Sequence, residues 1–329
     1  MPLIDTFGRV HDNLRISVTD RCNIRCVYCM PDGKIDWRPK DEILSFEEVE
    51  RFVRVAATLG VTKLRLTGGE PLLRRDLPLL IERLCRIDGI RDIGLTTNAV
   101  LLGAQAADLY AAGLRRLNVH LDTLDQSRFL EITRRDELGR VLESIETALA
   151  VGFQIKLNAV AMRGVTDSDI VPLARFGRER GMEVRYIEFM PLDAQGIWNA
   201  GRVLSQDEMI SMLQEEIGPL ELAPGNDPHA PATEFAFSDG IGKIGFISSV
   251  TKPFCQSCNR IRLTAEGKLR SCLFAVDEMD VRGLLRNGAP DSAIADVIQA
   301  NVTSKWAGHE INSGAKFVAP PRPMYAIGG

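Results

Sequence analysis

Residues 20–29 read Asp20-Arg21-Cys22-Asn23-Ile24-Arg25-Cys26-Val27-Tyr28-Cys29 and directly follow the first predicted strand, at residues 14–18. The spacing Cys-x3-Cys-x2-Cys supplies three thiolates to a four-iron cluster and leaves the fourth iron without a protein ligand. Because clusters that only transfer electrons are normally held by four cysteines, an open iron indicates that a small molecule binds there and reacts. A zinc site or a group of buried cysteines is the alternative, although no fourth Cys or His lies close by.

The composition is that of an ordinary globular protein of 329 residues, of which 45% are hydrophobic. A chain of this length forms one large core, or one large and one small domain. It contains no apolar run of transmembrane length, and its first residues lack the basic and apolar regions of a signal peptide. Cysteines gathered in two groups favour metal ligation in a reducing compartment over disulfide bonds. We therefore expect a cytoplasmic protein without a membrane segment.

Short β-branched apolar runs alternate with longer helical patterns up to residue 190, which is typical of successive βα units around a parallel sheet. A helix is predicted at residues 46–59, where Ser45 and Glu48 form a capping box, and another at residues 141–151, ended by Gly152. The six predicted strands are residues 14–18, 63–67, 93–97, 116–121, 155–160 and 184–189.

Six βα units predict an α/β fold, a partial (β/α)6 TIM-like barrel that is open on one side. Active sites of such sheets lie at the carboxyl ends of the strands. The candidate motifs obey this rule, because each directly follows or ends a predicted strand. They are the first cysteine group, Thr67-Gly68-Gly69-Glu70-Pro71, Thr96-Thr97-Asn98, His120-Leu121-Asp122 and Met190.

Beyond Pro191 the alternation fades, and the Pro- and Gly-rich residues 219–231 predict an exposed linker. We therefore divide the chain into a barrel at residues 1–218 and a smaller α+β region at residues 219–329. This second region has predicted strands at residues 242–248 and 260–264 and a helix at residues 281–286. We expect it to cover the open side of the barrel.

Cys255, Cys258 and Cys272 form a second incomplete set of thiolates. If they hold a second four-iron cluster, its free iron would bind substrate directly. Zinc with a distant fourth ligand such as His309 is the alternative.

Positive residues surround this second group, although the formal net charge of −4 argues against a general nucleic-acid binder. An anionic small molecule fits such a local cluster, and a solvated pair of basic strands is the alternative. The basic residues are Arg260, Arg262, Lys268 and Arg270.

The first cysteine motif, followed by Thr67-Gly68-Gly69-Glu70-Pro71, resembles the radical S-adenosylmethionine superfamily. The resemblance implies that S-adenosylmethionine chelates the open iron and is cleaved, by one electron from the cluster, to a 5′-deoxyadenosyl radical. The second triad and the terminal Gly328-Gly329 are similar to one branch of that superfamily, the enzymes that cyclise 5′-GTP at the start of molybdenum-cofactor biosynthesis.

That branch implies two [4Fe-4S] clusters, with S-adenosylmethionine on the first and GTP on the second. It also implies an electron donor such as flavodoxin or ferredoxin and a downstream cyclic pyranopterin monophosphate synthase. A homodimer is one possible assembly, and the sequence does not determine the oligomeric state.

The resemblance also implies roles for individual residues of this chain. Cofactor contacts are Tyr28, Gly69, His120 and Met190; GTP contacts are Arg15, Arg65, Thr96, Lys156, Arg260, Ile261 and Arg262; and the catalytic set is Cys22, Cys26, Cys29, Arg260, Arg262, Gly328 and Gly329.

One position departs from the branch, because His120 stands where its members carry Ser. We interpret His120 as a tolerated substitution that still offers a hydrogen bond to S-adenosylmethionine. Two other functions stay open at this point. A peptide-modifying radical enzyme would cleave S-adenosylmethionine without GTP, and an iron–sulfur carrier would not cleave it at all.

Overall fold

A single mixed sheet runs through the computed structural model, which describes residues 2–312 and 317–328. Within those residues twelve strands join in the spatial order β12-β11-β10-β1-β2-β3-β4-β5-β6-β9-β8-β7. The strands are β1 (Asn13–Ser17), β2 (Lys63–Thr67), β3 (Asp92–Thr97), β4 (Arg116–His120), β5 (Gln154–Ala161), β6 (Glu183–Glu188), β7 (Leu220–Leu222), β8 (Thr233–Phe237), β9 (Lys243–Ile247), β10 (Arg260–Leu263), β11 (Lys268–Arg270) and β12 (Met279–Asp280).

The six predicted barrel strands are confirmed as β1 to β6, each parallel to the next. The C-terminal strands continue this sheet at both edges. Strand β10 pairs in parallel with β1, and β9 pairs in parallel with β6. The C-terminal region therefore borders the open side of the barrel from both edges of the sheet.

Most of the helices cover the outer face of the sheet. The predicted capping box is confirmed: Ser45 Oγ accepts from Glu48 N at 3.2 Å, and Ser45 N donates to Glu48 Oε2 at 2.7 Å. The helices are α1 (Phe46–Thr58), α2 (Leu77–Cys85), α3 (Leu102–Ala111), α4 (Gln126–Thr133), α5 (Leu138–Val151), α6 (Ile170–Glu179), α7 (Gln206–Glu216), α8 (Arg282–Arg286), α9 (Asp291–Thr303) and α10 (Met324–Ile327).

The prediction of a linker over residues 219–231 is wrong in part, because β7 lies within it and pairs antiparallel with β8. A strand of three residues is too short to show the alternation of buried and exposed side chains that identifies strands in a sequence. Among the residues described, no helix combines the length and the apolar character needed to cross a membrane.

Alternation along β1 and β2 separates the core from the interior of the barrel. Leu14, Ile16, Leu64 and Leu66 are at most 1% exposed and belong to one hydrophobic core. The side chains between them point to the opposite face of the sheet, because successive residues of a strand face opposite sides. On that inner face the strands carry polar and charged residues, and these form the site described next.

Candidate active site

The first cysteine group lies on the loop that leaves the carboxyl end of β1. Backbone N–H groups of this loop donate to the end of α4, from Arg25 to Thr133 O at 2.8 Å and from Val27 to Ile132 O at 3.0 Å. The loop is therefore held on one side by the sheet, which it leaves at the end of β1, and on the other by hydrogen bonds to α4. Its cysteines, Cys22, Cys26 and Cys29, line a cavity of about 210 Å³ at the carboxyl ends of the strands.

Gly68 and Gly69 bring the loop after β2 into direct contact with the cysteine loop. The Gly69 N–H donates to Thr19 O at 2.8 Å, and the following N–H donates to Arg21 O at 2.7 Å. A Cβ on Gly69 would lie 2.3 Å from Arg21 O, and one on Gly68 would lie 2.5 Å from Thr19 O. Only glycine lets these backbones meet, so Gly69 serves the packing of the chain itself.

Glu70 is a buried carboxylate that joins the loops after β2 and β3. It accepts from Leu72 N at 3.0 Å, Thr97 Oγ1 at 2.7 Å and Asn98 N at 2.7 Å. Burial raises the pKa of Glu70 to about 7, although the backbone donors oppose that rise. The side chain of Asn98 in turn donates to Cys22 Sγ at 3.7 Å, so this network extends to the cysteine group.

His120 belongs to a hydrogen-bonded group at the end of β4. The Tyr28 hydroxyl contacts His120 Nε2 and donates to Asp122 Oδ2, which also lies 3.1 Å from His120 Nε2. Asp122 Oδ1 accepts from Val160 N at 2.7 Å. Burial disfavours the charged imidazolium, but the adjacent Asp122 carboxylate raises the pKa of His120 well above its ordinary value.

The donor set of the first cavity fits a four-iron cluster. Burial raises the pKa of Cys22 to about 12 and also raises that of Cys29, so without a metal these side chains are neutral thiols. Bound iron replaces the thiol proton, and the amide of Asn98 is then a hydrogen-bond donor to a ligating sulfur. Cys22, Cys26 and Cys29 would hold the cluster.

A second cavity of about 410 Å³ is lined by Cys255, Cys258 and Cys272. Burial opposes ionisation of Cys258, but the positive charges of Arg260 and Lys305 lower its pKa to about 6. The Lys305 ammonium donates to Arg260 O at 2.7 Å and to Ser271 O at 2.5 Å, two residues after Cys258 and one residue before Cys272. Lys305 therefore ties together the segments that carry Cys258 and Cys272.

These thiols also fit an iron–sulfur cluster, because they face one cavity and the charges around Cys258 favour a thiolate. His309, the alternative zinc ligand, lines the same cavity and packs on Phe274 with ring centroids 4.9 Å apart. Over residues 2–312 and 317–328, no three Cys, His, Asp or Glu side chains converge closely enough to hold a single metal ion.

Four arginines of the second cavity have no ion pair with any described residue: Arg15, Arg65, Arg260 and Arg262. Arg15 lies in register with Arg262 on one side and with Arg65 on the other. The Nε of Arg15, the Nη1 of Arg65 and the Nη2 of Arg260 are buried without a hydrogen-bond partner.

The pKa values of Arg15, Arg65 and Arg262 reflect their burial and crowding. Burial, followed by repulsion from neighbouring arginines, lowers the pKa of Arg15 well below its ordinary value and lowers those of Arg65 and Arg262 to about 10. Buried cations without partners are unfavourable, so the cavity favours an anionic ligand.

The remaining predicted contacts differ in their surroundings. Thr96 and Met190 line both cavities, which also share walls at Asn158, Ile187 and Met324. Lys156 lines the second cavity, but its ammonium already pairs with Glu183 at 2.5 Å and Glu234 at 3.4 Å. The side chain of Ile261 packs in the hydrophobic core, so it could meet a ligand only through its main chain.

The C-terminal tail enters the site at the ends of β1 and β2. Gly328 O accepts from Arg262 Nη1 at 2.7 Å, and a Cβ on Gly328, whose φ is +86°, would lie 2.7 Å from Ser17 Cβ. Arg322 anchors the tail through Glu266 at 2.6 Å and Glu278 at 3.0 Å. Gly329, which the resemblance assigns to the catalytic set, lies outside the described residues.

Sequence analysis gave no role to Glu70, Asp122 or Lys305. Glu70 and Asp122 belong to motifs at the ends of predicted strands, and this position is the one feature of the sequence that points to a role for them in the site. Lys305 lies just beyond α9, far from the cysteines in sequence, and no local pattern marks it.

Comparison with known proteins gives a consistent picture. Residues 16–177 match the family model of the radical SAM superfamily, and residues 182–311 match the model named Molybdenum Cofactor Synthesis C. The chain is 49% identical over 331 residues to the GTP 3′,8-cyclase of Rhodopirellula baltica, which covers 99% of this chain and 92% of that protein. It is 44% identical over 327 residues to the GTP 3′,8-cyclase of Thermodesulfovibrio yellowstonii, with 99% of each chain covered.

The fold is similar to that of Streptococcus suis SuiB in its crystal structure with the precursor peptide SuiA, with a TM-score of 0.64 and 15% identity. The similar region covers 88% of this chain and 67% of that one. At this identity the likeness concerns the fold alone, and it supports the partial barrel.

We expect Glu70→Gln to lower the free energy of unfolding by about 1–3 kcal/mol. The new amide N–H₂ would face an N–H or O–H group whose hydrogen bond the carboxylate now accepts, and that donor would lose its partner. The measurement is urea denaturation at pH 8, where Glu70 is largely ionised. The control Glu82→Gln removes only a surface pair with Arg86 and should change the value by less than about 0.5 kcal/mol. Equal effects of both variants would contradict the role given to Glu70.

Proposed function

We infer the activity of this chain from its family, because the chain belongs to the GTP 3′,8-cyclases. It is a radical S-adenosylmethionine enzyme. We propose that it converts 5′-GTP to (8S)-3′,8-cyclo-7,8-dihydroguanosine 5′-triphosphate, a lyase reaction at the first step of molybdenum-cofactor biosynthesis.

The unpaired arginines of the second cavity are the observation that carries the proposed substrate. Arg15, Arg65, Arg260 and Arg262 gather positive charge without a carboxylate partner among the described residues. A triphosphate brings several negative charges and paired oxygens, which guanidinium groups bind in bidentate fashion. Lys156 would join them by exchanging its carboxylate partners for phosphate.

The first cavity is the proposed site of S-adenosylmethionine. When bound, the first cluster and S-adenosylmethionine would supply a carbon-centred radical for removal of the ribose C3′ hydrogen. Closure of the C3′–C8 bond would then require one further electron and a proton to give the 7,8-dihydro product. The chain would hold the cluster with its first cysteine group. Tyr28, Gly69, His120 and Met190 would position S-adenosylmethionine, with Asp122 fixing the orientation of Tyr28 and His120.

The two cavities share a wall, which supports a reaction between S-adenosylmethionine in the first cavity and a nucleotide in the second. A nucleotide whose phosphates lie at Arg15 and Arg65 could extend its sugar toward Thr96 and Met190, which line both cavities. The reacting groups would then lie in a space largely walled by protein.

The remaining proposed roles lie around the second cysteine group. Arg260 and Arg262 would orient the nucleotide, the main chain of Ile261 would contact it, and the tail with Gly328 and Gly329 would act beside Arg262. Cys255, Cys258 and Cys272 would hold a second [4Fe-4S] cluster that binds the guanine.

We also propose the surroundings in which the enzyme works. It would act in the cytoplasm, receive electrons from a flavodoxin or ferredoxin, and pass its product to the cyclic pyranopterin monophosphate synthase. A homodimer is the proposed assembly. Residues 1–218 would serve the radical chemistry, and residues 219–329 would supply the second cluster and part of the GTP site.

The activity test uses the full chain, reconstituted without oxygen with iron and sulfide and then reduced. We expect 5′-deoxyadenosine to form with S-adenosylmethionine and GTP, together with a cyclised guanine nucleotide. If S-adenosylmethionine is cleaved equally with and without GTP, the radical chemistry is supported but GTP is not the substrate, as expected for a peptide-modifying enzyme. Absence of cleavage by protein that carries both clusters would reject the enzyme activity.

Cys258→Ala tests the second cluster. We expect the iron content to fall from roughly eight to roughly four per chain, since only one four-iron cluster remains. S-adenosylmethionine should still bind, whereas GTP affinity should fall. The control Cys85→Ala removes a cysteine outside both groups and should keep all the iron. An unchanged iron content in Cys258→Ala would reject the second cluster.

His120→Ser tests the substitution found at this position. We expect the Kd of S-adenosylmethionine to change by less than about threefold, a small difference in binding free energy, because Tyr28 keeps its hydrogen bond to Asp122. The measurement is equilibrium binding to the reconstituted enzyme. Binding tighter by about tenfold or more would show instead that His120 is a handicap.

A further inference from the structure

One inward position in the arginine-rich row of the sheet carries no side chain. The row runs across four neighbouring strands, with Arg15, Arg65, Gly94 and Arg116 in register. Gly94 therefore lies between two arginines within β3. A glycine at such a position weakens the strand and often marks a close approach by another group.

The side chain of Arg65 makes that close approach. A Cβ on Gly94 would lie 1.9 Å from Nη1 and 2.4 Å from Cζ of Arg65, although real Cβ atoms essentially never come within 3.0 Å of another heavy atom. The guanidinium thus rests on the backbone of β3. Its Nη1 is buried without a hydrogen-bond partner, and the side chain lines the second cavity.

The neighbouring arginine of the row is held differently. Arg116 forms an ion pair with Asp92 at the start of β3. Among the described residues, the Arg65 guanidinium has no hydrogen bond or ion pair of its own. It occupies the space that a side chain at position 94 would need.

A second glycine on the inner face repeats the arrangement. Gly245 lies in register with Arg185, and a Cβ there would lie 3.0 Å from Arg185 Cγ. Arg185 also pairs with Glu183 at 2.5 Å and Glu234 at 3.0 Å, so carboxylates fix it even without the glycine. The contrast leaves Gly94 as the feature on which Arg65 depends.

We propose that Gly94 is a positioning residue for substrate binding: its missing side chain lets the Arg65 guanidinium lie across β3 and offer its unpaired N–H groups to the anionic part of the nucleotide. The proposal rests on the proposed function, since it takes GTP as the ligand of the second cavity. A methyl group at position 94 would move the guanidinium while leaving the first cavity intact.

The binding test compares Gly94→Ala with the unchanged chain, both reconstituted without oxygen. We expect the Kd of GTP to rise by about tenfold or more, the loss typical of a charge-assisted hydrogen bond, while the Kd of S-adenosylmethionine stays constant. The control Gly139→Ala adds a methyl group on α5 with nothing within 4 Å and should leave both constants unchanged.

A double-mutant cycle on GTP affinity tests the steric step itself. Gly94→Ala should raise the Kd of GTP in the unchanged chain and have little further effect in Arg65→Ala, where no guanidinium is left to displace. The melting temperature should change little, because only the end of the flexible Arg65 side chain has to move. Equal effects of Gly94→Ala on GTP affinity in both backgrounds, or a double variant that does not fold, would overturn the proposal.

The binding results separate this proposal from the proposed function. GTP affinity equal in Gly94→Ala and the unchanged chain overturns the role of Gly94 and leaves the substrate in place. Equal weakening of GTP and S-adenosylmethionine also overturns it, because the methyl group would then disturb the whole site. An unchanged chain that binds no GTP rejects the proposed function, and the role of Gly94 toward GTP falls with it.

Discussion

A parallel strand presents every second side chain to the same face, and this constraint places the arginines of β1, β2 and β10 side by side. Arg262, Arg15 and Arg65 occupy one row because the three strands pair in register. The hydrophobic residues between them, such as Leu14 and Leu64, are fixed in the core on the other face. The three arginines therefore start from neighbouring backbone positions, and burial together with mutual repulsion lowers their pKa values.

Buried polar groups form hydrogen bonds that join the segments around the two cysteine groups. Glu70 accepts hydrogen bonds from the loops that follow β2 and β3. Asn98, whose main chain donates to Glu70, also donates from its side chain to Cys22 Sγ. Around the second group Lys305 donates to the main chain beside Cys258 and Cys272. Groups of this kind orient metal ligands from outside the coordination sphere, and removing one leaves its buried partners without a hydrogen bond.

The C-terminal region completes the site because its strands continue the sheet at both edges. Strand β10 brings Arg260 and Arg262 beside β1, and the second cysteine group flanks that strand in sequence. The tail reaches the same place from the far end of the chain, where Gly328 O meets Arg262. Two cavities with a common wall result, one with cysteines and apolar residues and one with cysteines and cations.

The sequence alone determined the six parallel strands, both cysteine groups and the family resemblance, because strand alternation and cysteine spacing are local patterns. It could not show that Lys156 is already paired, that Ile261 turns into the core, or that residues 220–222 form a strand. Nor could it relate Gly94 to Arg65, or Lys305 to the cysteines. These relations join residues that are distant in the chain, and only the register of the sheet and the packing of the folded protein decide which side chains share a space and which charges stay unpaired.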